Sequence, residues 1–229
     1  MADDEHEALF VYGTLMFDAV LVTLLKRLPE SRPARLKGYR RFAIRDRVYP
    51  AIIPAADCSV CGLVLLGLTA KERRILDEFE DEDYIKTPLT VQFDAALAHA
   101  MGTGTGTGAG TSVGVAAGSR PSVCATTACA EDAQRDSEVS ATVETVADVY
   151  VWRAEFADEL EGDWDAAAFG QARGSKPDGR QGGSGDGSSA CSREGKGYIH
   201  GGGDGDELTR YVAMCRQWVE ADYGWGQVE

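Results

Sequence analysis

The stretch FVYGTL, residues 10–15, predicts a buried β-strand that ends at a glycine and continues into a helix. The apolar residues before Gly13 are typical of a buried strand, and glycine frees the backbone where the strand ends. Several backbone N–H groups at such a turn lack partners and point the same way, so the turn can bind a carboxylate or a phosphate. The alternative is an ordinary strand–helix connection in which Gly13 is needed only for its dihedral angles.

A second stretch, LDEFEDEDY at residues 76–84, predicts one carboxylate that faces the protein interior. The residues before it predict a helix, because Thr69 and Glu72 have the spacing of a capping box. Glu80 lies four residues after Leu76 and therefore shares the apolar face of this helix. The other carboxylates are interpreted as a solvated cluster at the helix end: Asp77, Glu78, Asp81, Glu82 and Asp83.

The inward position of Glu80 indicates its chemistry. Burial disfavours the ionised form of a carboxyl group, so we expect the pKa of Glu80 to rise towards neutrality. A pKa near the working pH suits a general acid/base. Together, the turn and the glutamate predict a substrate that carries a carboxylate. They also predict a reaction driven by proton transfer rather than by a metal or a covalent intermediate.

The composition excludes several kinds of partner. The net charge of −14 argues against nucleic acid or an anionic membrane. The 229 residues are 44% hydrophobic, which is enough for one domain with a sizeable core. No apolar run is long enough to span a bilayer. The acidic N-terminus fits neither a secretory signal nor an Arg-rich transit peptide, so a cytoplasmic location is expected.

The six cysteines are interpreted as reduced thiols, with Cys61 and Cys215 in the core. The pairs Cys58-x-x-Cys61 and Cys124-x4-Cys129 have the form of zinc half-sites. The three histidines lie outside the expected core, however, so no metal site is predicted. For the same reason a Ser–His or Cys–His catalytic pair is not expected.

Apolar patterning predicts several strands and helices, and therefore an α+β fold. Two low-complexity tracts, at about 98–140 and 171–205, are interpreted as insertions in a single domain of residues 1–229. The first tract has no G-x-G-x-x-G spacing, so it is not a nucleotide loop. Strands are predicted at residues 9–12, 34–44, 48–53, 60–68, 88–93 and within 141–152. Helices are predicted at residues 20–28, near 69–80, at 164–169 after an N-cap at Asp163, and from Asp206.

Two groups of side chains are assigned to a solvated surface and to the core. Arg40, Arg41, Arg45 and Arg47 are interpreted as a solvated strand face, with one arginine near the pocket mouth to attract an anionic substrate. Binding of an acidic partner is the alternative. Apolar residues of the last helix, Tyr211 among them, recur at helical spacing and are interpreted as core packing rather than as a cofactor or peptide groove.

Five segments, in their order and spacing, resemble a known family. They are Tyr12-Gly13-Thr14-Leu15, Gly38-Tyr39-Arg40-Arg41, Tyr49-Pro50-Ala51, Leu76-Asp77-x-Phe79-Glu80 with Tyr84, and Tyr150-Val151-Trp152. In these segments the chain resembles the γ-glutamylcyclotransferase-like superfamily, in its plant-type avirulence-induced-gene-like branch. The resemblance implies that the Tyr12-Gly13-Thr14-Leu15 turn binds the γ-glutamyl part of the substrate and that Glu80 is the catalytic acid/base. Asp81 departs from the pattern, because relatives often have glycine after the glutamate.

The resemblance also implies the form of the α+β fold, which is a small, mostly antiparallel, barrel-like sheet with packed helices. It further implies a reaction. A cofactor-free, acyltransferase-type cyclotransferase would cleave a γ-glutamyl amide through attack by the substrate's own α-amine, releasing 5-oxoproline and an amine or amino acid. Its small-molecule substrate is a γ-glutamyl amino acid, a γ-glutamyl amine or a glutathione-like peptide. The alternative is a non-catalytic ligand-binding or stress-response interaction protein on the same fold, which Asp81 and the two insertions favour.

Overall fold

The computed structural model describes residues 8–93, 128–129, 143–170 and 206–224. Within them the strands are β1 Leu9–Val11, β2 Glu30–Ile44, β3 Pro50–Leu66, β4 Tyr84–Phe93, β5 Ala128–Cys129, β6 Glu144–Trp152 and β7 Leu160–Glu161. The α-helices are α1 Asp18–Leu25, α2 Ala70–Glu80, α3 Ala166–Gly170 and α4 Glu207–Tyr223. Short 3-10 helices span Thr14–Met16 and Ala154–Glu159. The two predicted insertions fall almost entirely outside the described residues.

Five strands close into a barrel. The hydrogen-bonded order is β3-β1-β6-β4-β2, and β2 pairs with β3 again to complete the circle. The β1–β6 pair is parallel, and the other four pairs of the barrel are antiparallel. Closure removes exposed sheet edges. The predicted α+β fold, with a mostly antiparallel barrel-like sheet and helices, is confirmed.

The long hairpin of β2 and β3 corrects the predicted strand boundaries. The segments predicted separately at 48–53 and 60–68 form one strand, Pro50–Leu66. Pro54 does not interrupt it, because the register shifts between Lys37 and Tyr39 of the partner strand, opposite this proline. The shift contains Gly38, whose φ of 78° is a conformation that glycine adopts easily. The irregularity therefore bends both strands together and lets their pairing continue.

The helices follow the predicted pattern with shifted ends. The capping box of α2 is present, since Thr69 Oγ1 accepts from the Glu72 amide and the Glu72 carboxylate accepts from the Thr69 amide. Helix α1 ends at Leu25 rather than Leu28, because Lys26 adopts a left-handed conformation. No helix within residues 8–93, 143–170 and 206–224 has the length and hydropathy of a membrane-spanning helix.

Helix α3 begins two residues later than predicted. Its first turn is capped by Asp165, whose carboxylate accepts from the Ala167 amide at 2.8 Å. The prediction of Asp163 as the N-cap is therefore wrong. The carboxylate of Asp163 instead forms an ion pair with Arg40 at 3.1 Å.

The core lies on both faces of β1, which explains its uninterrupted apolar run. Leu9 and Val11 belong to a buried cluster shared with the helices, and Phe10 belongs to a second buried cluster formed by residues of the barrel strands. Cys61 and Cys215 are both buried, so their predicted place in the core is confirmed.

Candidate active site

A pocket opens between the end of β1, the start of β3 and the end of α2. Its wall contains both features singled out from the sequence, the turn at residues 12–15 and Glu80. Helix α4 adds Tyr211 and Met214 from the far end of the chain. The structure thus brings Tyr12, Gly13, Thr14, Leu15 and Glu80 to one place. Their contribution to binding or catalysis stays a prediction.

The turn after β1 has a tight steric requirement at its glycine. A Cβ atom at Gly13 would lie 2.8 Å from Cγ of Pro50, closer than carbon atoms approach. The φ of Gly13 is −123°, which other residues also adopt, so close packing rather than a special φ requires glycine here. The 3-10 helix Thr14–Met16 follows at once and has no partner within itself for its first amides. The backbone of the turn is therefore held against Pro50 with amides near the pocket wall.

Glu80 is the last residue of α2 and lies, partly exposed, on the pocket wall. Burial of its carboxyl group, together with the smaller effect of the nearby Asp77 carboxylate, raises its pKa from 4.5 to about 8. The expected rise towards neutrality is confirmed. At neutral pH a large part of Glu80 is protonated, and the group can both donate and accept a proton.

Five tyrosines surround the pocket: Tyr12, Tyr49, Tyr84, Tyr150 and Tyr211. Burial raises the pKa of each above its ordinary value, and the charge of Glu80 acts in the same direction. All five phenols therefore stay protonated at neutral pH. Their apolar rings and neutral hydroxyls surround the carboxyl group of Glu80.

The phenol hydroxyls are held by protein partners. Tyr12 donates to the Tyr150 carbonyl at 2.7 Å, and Tyr84 donates to the Pro50 carbonyl at 3.0 Å. The hydroxyls of Tyr211 and Thr14 lie 3.2 Å apart and share a hydrogen bond. These bonds fix the ring orientations, so the pocket shape is set before a ligand arrives.

The first part of the chain is similar to a known protein family. Residues 9–103 match the family model described as gamma-glutamyl cyclotransferase, AIG2-like. Over this segment the chain is similar to the γ-glutamylcyclotransferase-like superfamily in its AIG2-like branch. The matched residues include the turn and Glu80, and the resemblance inferred from the sequence is confirmed.

Named relatives of this segment come from a plant and an archaeon. The chain is 52% identical over 77 residues to AIG2-like protein D of Arabidopsis thaliana, covering 34% of this chain and 51% of that protein. It is 34% identical over 83 residues to a Methanocaldococcus jannaschii protein named as a γ-glutamylcyclotransferase with a provisional RNase designation, covering 35% of this chain and 37% of that protein. A solution structure of an Arabidopsis thaliana protein is 21% identical, with a TM-score of 0.46, and covers 72% of this chain and 81% of that one. The chain spans about half the length of the Arabidopsis relatives it matches.

Two tyrosines of the pocket lie outside the matched segment. Tyr150 belongs to β6 and Tyr211 to α4, both beyond residue 103. The sequence interpretation placed Tyr211 in the core, and it is buried, but it also lines the pocket. Its hydroxyl on an otherwise apolar helix face was the signal, because a buried hydroxyl needs a hydrogen-bond partner.

The acidic side chains on either side of Glu80 have different roles. Glu78 and Glu82 are exposed, as expected for a solvated cluster. That interpretation is wrong for Asp77, which accepts a hydrogen bond from the Tyr150 hydroxyl and forms an ion pair with Lys86. Asp83 is half-buried on the pocket wall and lies 3.5 Å from Arg47.

Asp81 has a backbone conformation that normally requires glycine. Its φ is 66° and its ψ is −178°, a region nearly restricted to glycine. Its carboxylate accepts from the Glu82 amide at 2.8 Å, which offsets part of the strain. The residue after Glu80 therefore has dihedral angles typical of glycine, although it is an aspartate.

The described residues provide no evident metal site. In the part of the chain that the structure describes, no group of three or more His, Cys, Asp or Glu side chains is arranged to hold a metal ion. The absence of a cofactor or metal from the reaction stays a prediction.

Proposed function

We propose that this chain is a γ-glutamylcyclotransferase that cleaves a γ-glutamyl amide and releases 5-oxoproline with an amine or amino acid. One observation supports this most directly: Glu80, with a pKa near 8, and the amide-bearing turn at residues 12–15 line the same pocket. The family match over residues 9–103 and the archaeal relative named as a γ-glutamylcyclotransferase also support it.

The first step in the proposed mechanism is binding of the α-carboxylate of the γ-glutamyl group. Backbone amides of the turn, from Gly13 to Leu15, donate to this carboxylate. The α-ammonium group then lies towards Glu80, whose ionised form accepts one of its protons. The neutral amine that results is a nucleophile on the same molecule as the amide carbonyl it attacks.

Ring closure breaks the amide after a tetrahedral intermediate. The amine nitrogen bonds to the γ-carbon, and the carbonyl electrons move to oxygen. As the carbonyl re-forms, the C–N bond to the leaving group breaks and Glu80 returns its proton to the leaving nitrogen. The second proton of the ring nitrogen passes to solvent, and the released amine takes up a proton from water. Holding both ends in one bound conformer supplies much of the acceleration.

The developing negative charge on the γ-carbonyl oxygen needs hydrogen-bond donors. The Tyr12 hydroxyl is one candidate, but its proton is donated to the Tyr150 carbonyl at 2.7 Å. A turn amide that does not bind the α-carboxylate is therefore the better candidate. The five tyrosine rings lower the local dielectric, which strengthens this hydrogen bond.

The geometry of Asp81 weakens the case for a non-catalytic protein. That alternative relied partly on the replacement of a glycine beside the catalytic glutamate. Since the backbone of Asp81 has dihedral angles that glycine adopts easily, the aspartate does not exclude a loop conformation suited to glycine next to Glu80.

The test is 5-oxoproline formation, measured by mass spectrometry. A panel of γ-glutamyl amino acids, γ-glutamyl-lysine and glutathione is incubated with the protein. Glu80→Gln is expected to lower the rate by about 10²–10⁴-fold, because it removes the general acid/base. Glu78→Gln, an exposed carboxylate on the same helix, should keep the wild-type rate. If the folded wild-type protein forms no 5-oxoproline from any member of the panel, the result would favour a ligand-binding protein.

A further inference from the structure

Arg41 is a buried cation directly behind the turn. Its side chain is 1% exposed, although the sequence predicted a solvated strand face, so that prediction is wrong for Arg41. Its Nη1 donates to the Tyr12 carbonyl at 2.8 Å, and its guanidinium lies 5.2 Å from the ring centroid of Trp164. Removing a charged group from water costs several kcal/mol, of the order found for buried ions. Because burial of its charge is costly, we expect Arg41 to have a role that the exposed arginines nearby do not have.

The peptide bond between Tyr12 and Gly13 is planar, so the position of Arg41 affects the direction of the Gly13 N–H group. The bond between Tyr12 and Gly13 is trans, so its C=O and N–H groups point in opposite directions. The carbonyl accepts from the buried guanidinium, and the Gly13 amide therefore points away from it. Gly13 lies on the pocket wall. A positive charge on the carbonyl side polarises the whole peptide unit and makes its N–H a stronger donor.

We propose that Arg41 is a positioning residue that orients and polarises the Tyr12–Gly13 peptide, and that the Gly13 amide is thereby the principal donor to the substrate's α-carboxylate. This inference rests on the proposed function, since it assigns the carboxylate-binding part of that site. It gives the pocket a preference for ligands with a free carboxylate over the corresponding carboxamides. Arg41 itself does not touch the substrate.

Arg40, the preceding residue, is the matched control. Its guanidinium forms an exposed ion pair with Asp163 at 3.1 Å and lies 4.8 Å from the ring centroid of Phe42. It therefore has the same chemistry, on the same strand, with both an ionic and an aromatic partner. It does not line the pocket.

The first experiment compares substrates in the variants Arg41→Met, Arg41→Lys and Arg40→Met. Each is assayed with a γ-glutamyl amide and with its α-carboxamide counterpart. We expect Arg41→Met to raise KM for the carboxylate substrate by about fivefold, which corresponds to the net contribution of one ordinary hydrogen bond to binding, with a smaller change for the carboxamide. Arg41→Lys keeps the cation and should fall between wild type and Arg41→Met. Equal KM values in Arg41→Met and Arg40→Met for both substrates would overturn the proposal.

The second experiment uses the unaltered protein and does not need turnover. The ¹H–¹⁵N resonance of Gly13 is followed by NMR during titration with 5-oxoproline and with 5-oxoprolinamide. A downfield shift of the Gly13 amide proton that is larger for the carboxylate supports the proposal. No movement of this resonance at saturating 5-oxoproline overturns it, even where the arginine variants fail to fold.

The two measurements separate this inference from the proposed function. If the wild-type protein releases no 5-oxoproline but its Gly13 resonance responds selectively to the carboxylate, the cyclotransferase proposal fails and the carboxylate-binding role of the Gly13 amide stands. If turnover is normal and the Gly13 resonance does not shift with 5-oxoproline, the carboxylate binds elsewhere and only the inference fails.

Discussion

The hydroxyl of Tyr150 donates to Oδ1 of Asp77 at 2.7 Å, one helical turn before Glu80. The other carboxylate oxygen of Asp77 lies 2.8 Å from Nζ of Lys86. These two bonds, from β6 and β4, fix the Asp77 carboxylate beside Glu80. Its negative charge is the second cause, after burial, of the raised pKa of Glu80.

Asp77→Asn should shift the pH dependence of catalysis. The substitution removes the charge of Asp77, which lowers the pKa of Glu80 from its value of about 8. Since Glu80 must be ionised to accept a proton, the acid limb of the kcat/KM profile should move to lower pH. Profiles of wild type, Asp77→Asn and the exposed-site control Glu78→Gln would show this. An acid limb that stays in place in Asp77→Asn would mean that Asp77 does not set this pKa.

Glu80 should make the protein less stable as pH rises. Its pKa of about 8 in the folded state exceeds the ordinary 4.5, so the folded state binds this proton more tightly than the unfolded state. The stabilisation is complete below pH 4.5 and is lost as pH rises to about 8. The full loss is on the order of 5 kcal/mol.

Glu80→Gln tests this dependence by urea unfolding at pH 5 and pH 8.5. Glutamine does not titrate, so the variant should gain stability relative to wild type as pH rises. Glu78→Gln is the control and should follow the wild-type profile, because Glu78 is exposed. Parallel profiles for wild type and Glu80→Gln would contradict the raised pKa.

The sequence predicts those parts of the site that depend on residue spacing within one short segment. The glycine turn and the inward position of Glu80 each follow from local spacing, and the structure places both in one pocket. The reason given for Gly13 was incomplete, since close contact with Pro50 requires glycine there. That contact joins two strands, and no spacing within either segment reveals it.

The parts that the sequence did not predict depend on packing between distant segments. Arg41 reads as one of several surface arginines, but the barrel places it behind Tyr12. Tyr211 reads as a core residue, and only the docking of α4 brings its hydroxyl to Thr14. Each case is a polar group whose partner lies far away in the chain, so periodicity carries no information about it.

Asp81→Gly should stabilise the protein. Asp81 has a positive φ of 66°, where a side chain costs roughly 1–3 kcal/mol, and glycine removes this strain. The greater flexibility of glycine in the unfolded state and the lost bond to the Glu82 amide reduce the gain, so we expect about 1 kcal/mol. Asp81→Ala keeps the strain and loses the same bond, so it should destabilise. Equal unfolding midpoints for the two variants in urea would show that the backbone of Asp81 is not strained.

The hydroxyl pair of Tyr211 and Thr14 should couple helix α4 to the turn. Tyr211→Phe and Thr14→Val each remove one hydroxyl of this pair. The remaining buried hydroxyl then loses its hydrogen-bond partner, so each variant should destabilise the protein by about 1 kcal/mol. The double variant should cost less than the sum, with a coupling free energy of about 1 kcal/mol. Both single variants should also lower kcat/KM, because the turn loses its contact with the opposite pocket wall.

Tyr223→Phe provides the comparison for Tyr211→Phe on the same helix. The Tyr223 hydroxyl donates to the exposed Glu78, outside the pocket lining. Its loss should therefore leave kcat/KM unchanged. If Tyr211→Phe and Tyr223→Phe alter kcat/KM equally, helix α4 affects the site only through general stability. If Tyr211→Phe alone lowers it, and Thr14→Val adds nothing further, then the two hydroxyls act as one unit in shaping the pocket.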